Sequence, residues 1–184
     1  MTHTDLKTKY ENEARSALRS EFDIKNEHAI PRLGKIVVNM GTKDYLRDKN
    51  RREKLVGDMA AITGQKPRVQ PARISVAGFG IRAGMPVGLS VTLRGSRMYT
   101  FLDRLITITL PRLRDFRGVP GGSFDKGGNY SLGIADYSVF PEIDIAKVDR
   151  PHGVQITIVT SSGGAEQSRR LLELLGMPFE KENN

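Results

Sequence analysis

Few residues in this chain could carry covalent chemistry. The three histidines, His3, His28 and His152, share no spacing that metal ligation uses. Cysteine is absent, so thiol nucleophiles, zinc ribbons, iron–sulfur clusters and disulfides are excluded together. Gly88-Leu89-Ser90-Val91-Thr92 lacks the second glycine of a nucleophile elbow. In Gly78-Phe79-Gly80-Ile81-Arg82-Ala83-Gly84 the third glycine comes one place too late for a dinucleotide fingerprint, and no helical pattern follows. The phosphate-loop spacing GxxxxGK occurs nowhere. Glu142 and Asp144 stand two apart with Asp149 after them, a density common on solvated loops and weak grounds for acid–base catalysis. Asn129-Tyr130-Ser131 is formally a glycosylation sequon, but a cytosolic chain never meets that machinery. The reading assigns no catalytic residue, no metal and no cofactor.

What remains is charge. The 184 residues hold 29 Lys and Arg against 21 Asp and Glu, a net +8. The excess sits in the middle third: from Met59 to Leu102 there is not one acidic residue, while Lys66, Arg68, Arg73, Arg82, Arg94 and Arg97 all fall there. A solvated surface usually intersperses both signs, so this run points to a polyanionic partner. Arg73, Ser75, Gly78, Phe79 and Arg82 occupy a glycine-rich, acid-free stretch that reads as a flexible finger. Its arginines can reach phosphates and Phe79 can pack on a ribose or base. Arg112, Arg114 and Arg117 gather three guanidinium groups just past a helix end, where capping of the helix carbonyls and RNA binding explain them equally.

These residues need a scaffold. Leu6, Tyr10, Ala14, Ala17, Leu18 and Phe22 recur at helical spacing over about 5–21, and a charged helix follows over 48–63, stopped by Gly64 and Pro67. Ser96 is a suitable N-cap for a third helix ending at Pro111, and a last helix covers 164–175, stopped by Gly176. Strands are predicted at 35–41, 67–73, 87–93, about 129–134 and from Val154 to Ile158, with a long mobile loop near 73–86. The order is α, then β-α-β-β-α-β-β-α, without repeat, low-complexity tract or linker. Alternation along the strands puts Lys35, Asn39, Ser90, Thr92, Arg94, Gln155 and Thr157 on one polar face. The expected fold is therefore α+β, a single domain over 1–184. Its antiparallel or mixed sheet has helices packed on one face and leaves the other open for RNA. An ordinary wet sheet face would show the same alternation. Neither a stretch of about 18 apolar residues nor a hydrophobic leader is encoded, so the expectation is a cytosolic protein with no membrane partner.

Several phrases together resemble one family, the large-subunit ribosomal protein that anchors 5S rRNA in the central protuberance (ribosomal protein L five). They are PRLGKIVVNMG from Pro31, AITGQKP from Ala61, SVAGFGIRAGMPVG from Ser75, VTLRGSRMYTFLDRLITITLPRLRDFRG from Val91, SFDKGGNYSLG from Ser123 and FPEIDIAKVD from Phe140. The resemblance covers about residues 30–179, in order. It implies a non-catalytic constituent of the cytoplasmic large ribosomal subunit. The family's 5S rRNA-binding positions fall here on Lys35, Asn39, Gln65, Lys66, Ser90, Thr92 and Arg94. It implies further that the loop Arg73 to Gly84 approaches P-site tRNA. A surface near 111–145 would meet a small-subunit head protein as an intersubunit bridge, with 23S rRNA and neighbouring large-subunit proteins as further partners. The competing reading is an RNA-processing enzyme or ribosome assembly factor on a similar sheet, which would need a reactive group.

Overall fold

The computed structural model describes residues 5–42, 48–114, 116–148, 150–161 and 163–180. His3 and Asp149 lie outside them. Among the described residues, four helices and five strands follow the expected order. The strands form one open antiparallel sheet in the order β2-β3-β1-β5-β4, with β1 Leu33–Gly41, β2 Arg68–Pro71, β3 Pro86–Leu93, β4 Tyr130–Ile134 and β5 Val154–Thr160. By packing the chain falls into two compact units.

The first unit takes in Met1–Ile36, Leu93–Leu132 and Thr157–Asn184. Helix α1 spans 6–21 and opens at Asp5, whose carboxylate accepts the Lys7 N–H. A π turn at Tyr10–Ala14 interrupts it, and Leu6, Ala14 and Leu18 are buried. Helix α3 starts two residues before the position Ser96 predicts. Arg94 is the extended N-cap and Gly95, at φ +58, turns the chain sharply out of β3, so Ser96 falls inside the first turn instead of capping it. Pro111 does not end the helix either. After Gly95–Arg104 it passes through a π turn, Leu105–Thr109, and a 3-10 turn, Leu110–Arg112, where proline's fixed φ is tolerated at the start of a turn. Helix α4, Ala165–Leu174, buries Leu171 and Leu172 and packs against α1, with Arg170 bonded to Glu21 at 2.8 Å. Beneath it the Thr160 hydroxyl donates to the Gly128 carbonyl at 2.9 Å. Its oxygen therefore accepts from Ser168 at 2.7 Å, so both buried hydroxyls find partners.

Sequence patterning offered no sign of how the C-terminal segment docks in this unit. Phe179 forms a parallel bridge with Val119: the Val119 N–H donates to the Pro178 carbonyl at 2.8 Å and the Glu180 N–H to the Val119 carbonyl at 3.0 Å. Phe124, Tyr130 and Phe179 pack ring on ring at 4.7–5.9 Å, and the Arg169 guanidinium lies 5.8 Å from the Phe179 ring centroid. The neighbouring turn is held by Asp125, which accepts from the Gly127 and Asn129 N–H groups and the Asn129 side chain; these bonds, the side-chain one foremost, hold its carboxyl below the usual range.

The second unit comprises Val37–Thr92 and Gly133–Ile156. Helix α2, Lys49–Thr63, is capped by Asp48, whose carboxylate accepts the Arg51 N–H at 3.1 Å. It turns Leu55, Met59 and Ile62 inward and ends at Gly64, whose φ of +67 is the left-handed conformation that closes the helix. The Tyr137 hydroxyl, on a buried residue, donates to Asp58 Oδ2 at 3.1 Å and ties the segment after β4 to this helix.

Candidate nucleic-acid interface

Alternation along the strands decides which side chains are offered to a partner. In β1, Ile36, Val38 and Met40 are buried while Val37 and Asn39 face the other way; in β3, Leu89, Val91 and Leu93 are buried while Ser90 and Thr92 face out. Strand β5 does the same, with Val154, Ile156 and Ile158 inside and Gln155 outside. Asn39, Ser90, Thr92 and Gln155 thus stand on the open side of the second unit, as the spacing predicted.

The β2–β3 register adds two residues the sequence reading missed. Arg68 pairs with Ser90 and Gln70 with Gly88, and directly opposed residues of an antiparallel pair share a face. Arg68 and Gln70 therefore join the open side. The signal was available in Arg68's place within the acid-free run, but the partner strand's register was not. Among the described strand residues facing this side of the unit, none is Asp or Glu. The face carries amides, hydroxyls and a guanidinium, groups that hydrogen-bond phosphate oxygens, ribose hydroxyls and base edges.

Gln65 and Lys66 lie in the turn that carries α2 into β2. The buried Thr63 hydroxyl lies within 2.7 Å of the Met59 carbonyl and 3.0 Å of the Gln65 carbonyl, and the Gln65 N–H reaches back to the same oxygen at 3.4 Å. With Pro67 buried behind them, this lock leaves Gln65 half-buried and Lys66 exposed. Lys35 and Arg94 belong to the first unit. Lys35 precedes Asn39 by four residues on the same side of β1, and Arg94 follows Thr92 by two as the exposed cap of α3. Thr157, on β5, has its hydroxyl oxygen 3.3 Å from that of Ser131.

The glycine-rich loop has more internal order than its composition announces. Val76 and Ile81 exchange both backbone hydrogen bonds, at 2.8 and 3.2 Å, around a 3-10 turn at Ala77–Phe79. The Ala72 N–H donates to Met85 at 2.7 Å, the Gly84 N–H to Ala72 at 2.9 Å, and the Ala83 N–H to the Ser75 hydroxyl oxygen at 2.9 Å. Gly80 at φ +63 and Gly84 at φ +86 supply the left-handed turns. Arg73, Ser75, Gly78 and Arg82 are exposed, and Phe79 and Ile74 hold out 63% and 70% of their surfaces. A large aromatic displayed at a tip flanked by arginines offers a ring face on which a base or ribose can stack. Arg112, Arg114 and Arg117 are exposed or half-exposed as well, Arg112 in the last helical turn where a cation complements the carbonyl end.

Comparison with known proteins covers nearly the whole chain. The family model described as ribosomal protein L5 matches residues 26–82, and the model of that ribosomal family's C-terminus matches 86–179. The chain belongs to the ribosomal protein L5 family. Among curated relatives, the large ribosomal subunit protein uL5 of Saccharopolyspora erythraea is 52% identical, covering 97% of this chain and 95% of its own. Those of Rubrobacter xylanophilus and Chloroflexus aurantiacus (strain J-10-fl) are each 53% identical over 95% of this chain and 97% of theirs. As a member of the L5 family the chain is a structural protein of the large ribosomal subunit, located in the cytoplasmic ribosome, and not an enzyme. Among the described residues no helix is long and apolar enough to cross a membrane.

Proposed function

We propose that this protein binds 5S rRNA through the open sheet face and helps attach it in the central protuberance of the large subunit. The observation that carries this reading is the alignment of Asn39, Ser90, Thr92 and Gln155 with Arg68 on a face without carboxylates among the described strand residues. Gln65 and Lys66, held at the adjoining turn, extend it, and Lys35 and Arg94 add cations in the first unit. The loop from Arg73 to Gly84 serves a different contact, with P-site tRNA, through Phe79 and the flanking arginines. The surface near 111–145, including Arg112, Arg114 and Arg117, meets a small-subunit head protein, while 23S rRNA and neighbouring large-subunit proteins complete the surroundings.

The test is recovery of RNA on the purified protein from total bacterial RNA, followed by sequencing. 5S rRNA is the expected species, and its absence refutes the proposal. Asn39→Ala and Thr92→Ala should each weaken binding by about 0.5–1.5 kcal/mol, the worth of one net hydrogen bond, without lowering the thermal midpoint. A fall in the midpoint with affinity intact would mean these side chains serve packing. One copy per large subunit is expected on fractionation; substoichiometric recovery would favour an assembly factor.

A further inference from the structure

The open face of the second unit is not evenly furnished. Over its β1, β5 and β4 portion lies a shallow groove of about 430 Å³, lined by Asn39, Gly41, Gly133, Ala135, Gly153 and Gln155 with neighbouring strand residues. Two of these glycines have no explanation among the described residues. Glycine in a strand is costly in conformational entropy, so it is expected where φ is positive or where another backbone comes close. Gly88 and Gly34 fit the second case, since an added Cβ would sit 3.3 Å from the Met40 and Val159 carbonyl oxygens, respectively. Gly41 and Gly133 fit neither. Both are exposed, neither has positive φ, and among the described residues a Cβ on either would meet nothing within 4 Å. Gly133 stands inside β4, between buried Leu132 and Ile134, where a β-branched residue would strengthen the strand.

We infer that the bare floor at Gly41 and Gly133 is reserved for the sugar–phosphate backbone of bound RNA, which reaches closer to the sheet here than a side chain would permit. This deepens the reading of the open face as an RNA surface and rests on it. The occupant follows from the chemistry around the groove. Asn39 and Gln155 each offer an amide donor and an acceptor, which suits ribose hydroxyls that both give and take hydrogen bonds. Among the described residues no carboxylate lines the groove to repel phosphates, and β3, which the acid-free run from Met59 includes, lies beside β1 in the sheet.

The experiment compares the full-length protein with Gly133→Val, Gly133→Ala and Gly41→Val in binding to 5S rRNA transcribed in vitro, alongside thermal unfolding and hydroxyl-radical footprinting of the riboses. The valine variants should lose tenfold or more in affinity at an unchanged or higher thermal midpoint, and Gly133→Ala should fall between them and the parent. A patch of riboses protected by the parent protein should become accessible. If Gly133→Val and Gly41→Val bind as tightly as the parent while Thr92→Ala binds less well, the groove is empty in the complex and the inference fails, with the RNA reading intact. If the parent itself does not bind 5S rRNA, the underlying reading fails. Unchanged RNA affinity with lost incorporation into large subunits would assign the groove to a protein and likewise overturn the inference.

Discussion

Replacing Gly118 with alanine should undo the docking of the C-terminal segment. Gly118 has φ +121, and a Cβ there would fall 2.6 Å from the Glu180 nitrogen and 2.8 Å from both Glu180 Cα and the Phe179 carbonyl carbon. All three are backbone atoms, so no rotamer change relieves the contact. Two responses are open to the protein. It can keep the bridge and accept a left-handed alanine plus the clash, the conformation alone costing about 1–3 kcal/mol. Or it can release the segment, losing the two Val119 hydrogen bonds, worth about 0.5–1.5 kcal/mol each, and the ring contacts of Phe179 with Phe124 and Tyr130, worth a similar amount apiece. Either route costs at least about 2 kcal/mol. For a chain of this length that lowers the thermal midpoint by roughly 4–8 °C. Amide exchange separates the routes, because release exposes the Val119 and Glu180 N–H groups together. A midpoint within about one degree of the parent, with both amides still protected, would refute the reasoning.

Binding to 5S rRNA should weaken with salt: taking about five phosphate contacts, log K should fall against log salt with a slope of roughly −3.5 to −4.5, and a flat response would remove the electrostatic argument. Replacing Ser75 to Arg82 by a short Gly-Ser turn should leave 5S rRNA affinity within about threefold while weakening retention of P-site tRNA; outright loss of 5S rRNA would merge the two surfaces. In the free protein the loop should open locally, so that its amides, the hydrogen-bonded N–H groups of Val76, Ile81, Ala83 and Gly84 included, exchange faster than those of β1; the loop has few buried side chains to hold it closed, and protection matching that of β1 would contradict this. Burial pushes the Tyr99 and Tyr130 hydroxyls up to about 12, from 10.0 when unfolded. Both keep their protons longer when folded, so the stability they lend is present below pH 10 and drains away as pH rises from there through about 12. Phenolate absorbance should show these two lagging at about pH 11, and common titration near 10 in a still-folded protein would exclude it.

What the sequence disclosed and what it hid divide along the range of the contacts involved. Period-two alternation placed Asn39, Ser90, Thr92 and Gln155 on one side because the pleat is a local property, settled by each strand alone. Arg68 and Gln70 reached the same side through pairing with β3, which no local pattern encodes. Ser96 misled for a related reason: its type favours a cap, but the left-handed Gly95 before it had already begun the helix. The Val119–Phe179 bridge joins residues far apart in the chain, and Gly41 and Gly133 acquire meaning only when the space above them can be inspected. Composition marked the segment 73–86 as irregular, although the bonds that fold it back at Val76 and Ile81 come from backbone groups, which are the same for every residue type.

Strand β2 bears on how such a protein survives before it meets RNA. It is an outermost strand, with backbone groups on its outer side open to another chain, and Val69 leaves 42% of its surface bare. Long flat edges of that kind invite strand-by-strand polymerisation. Here the edge is only four residues long, a register shift between Gln70 and Pro71 breaks its flatness, the proline has no N–H to offer, and the exposed Arg68 brings a charge that a second copy would repel. A newly made copy, still unassembled, is thereby kept from zipping onto its neighbours during the interval in which its open sheet face is also uncovered.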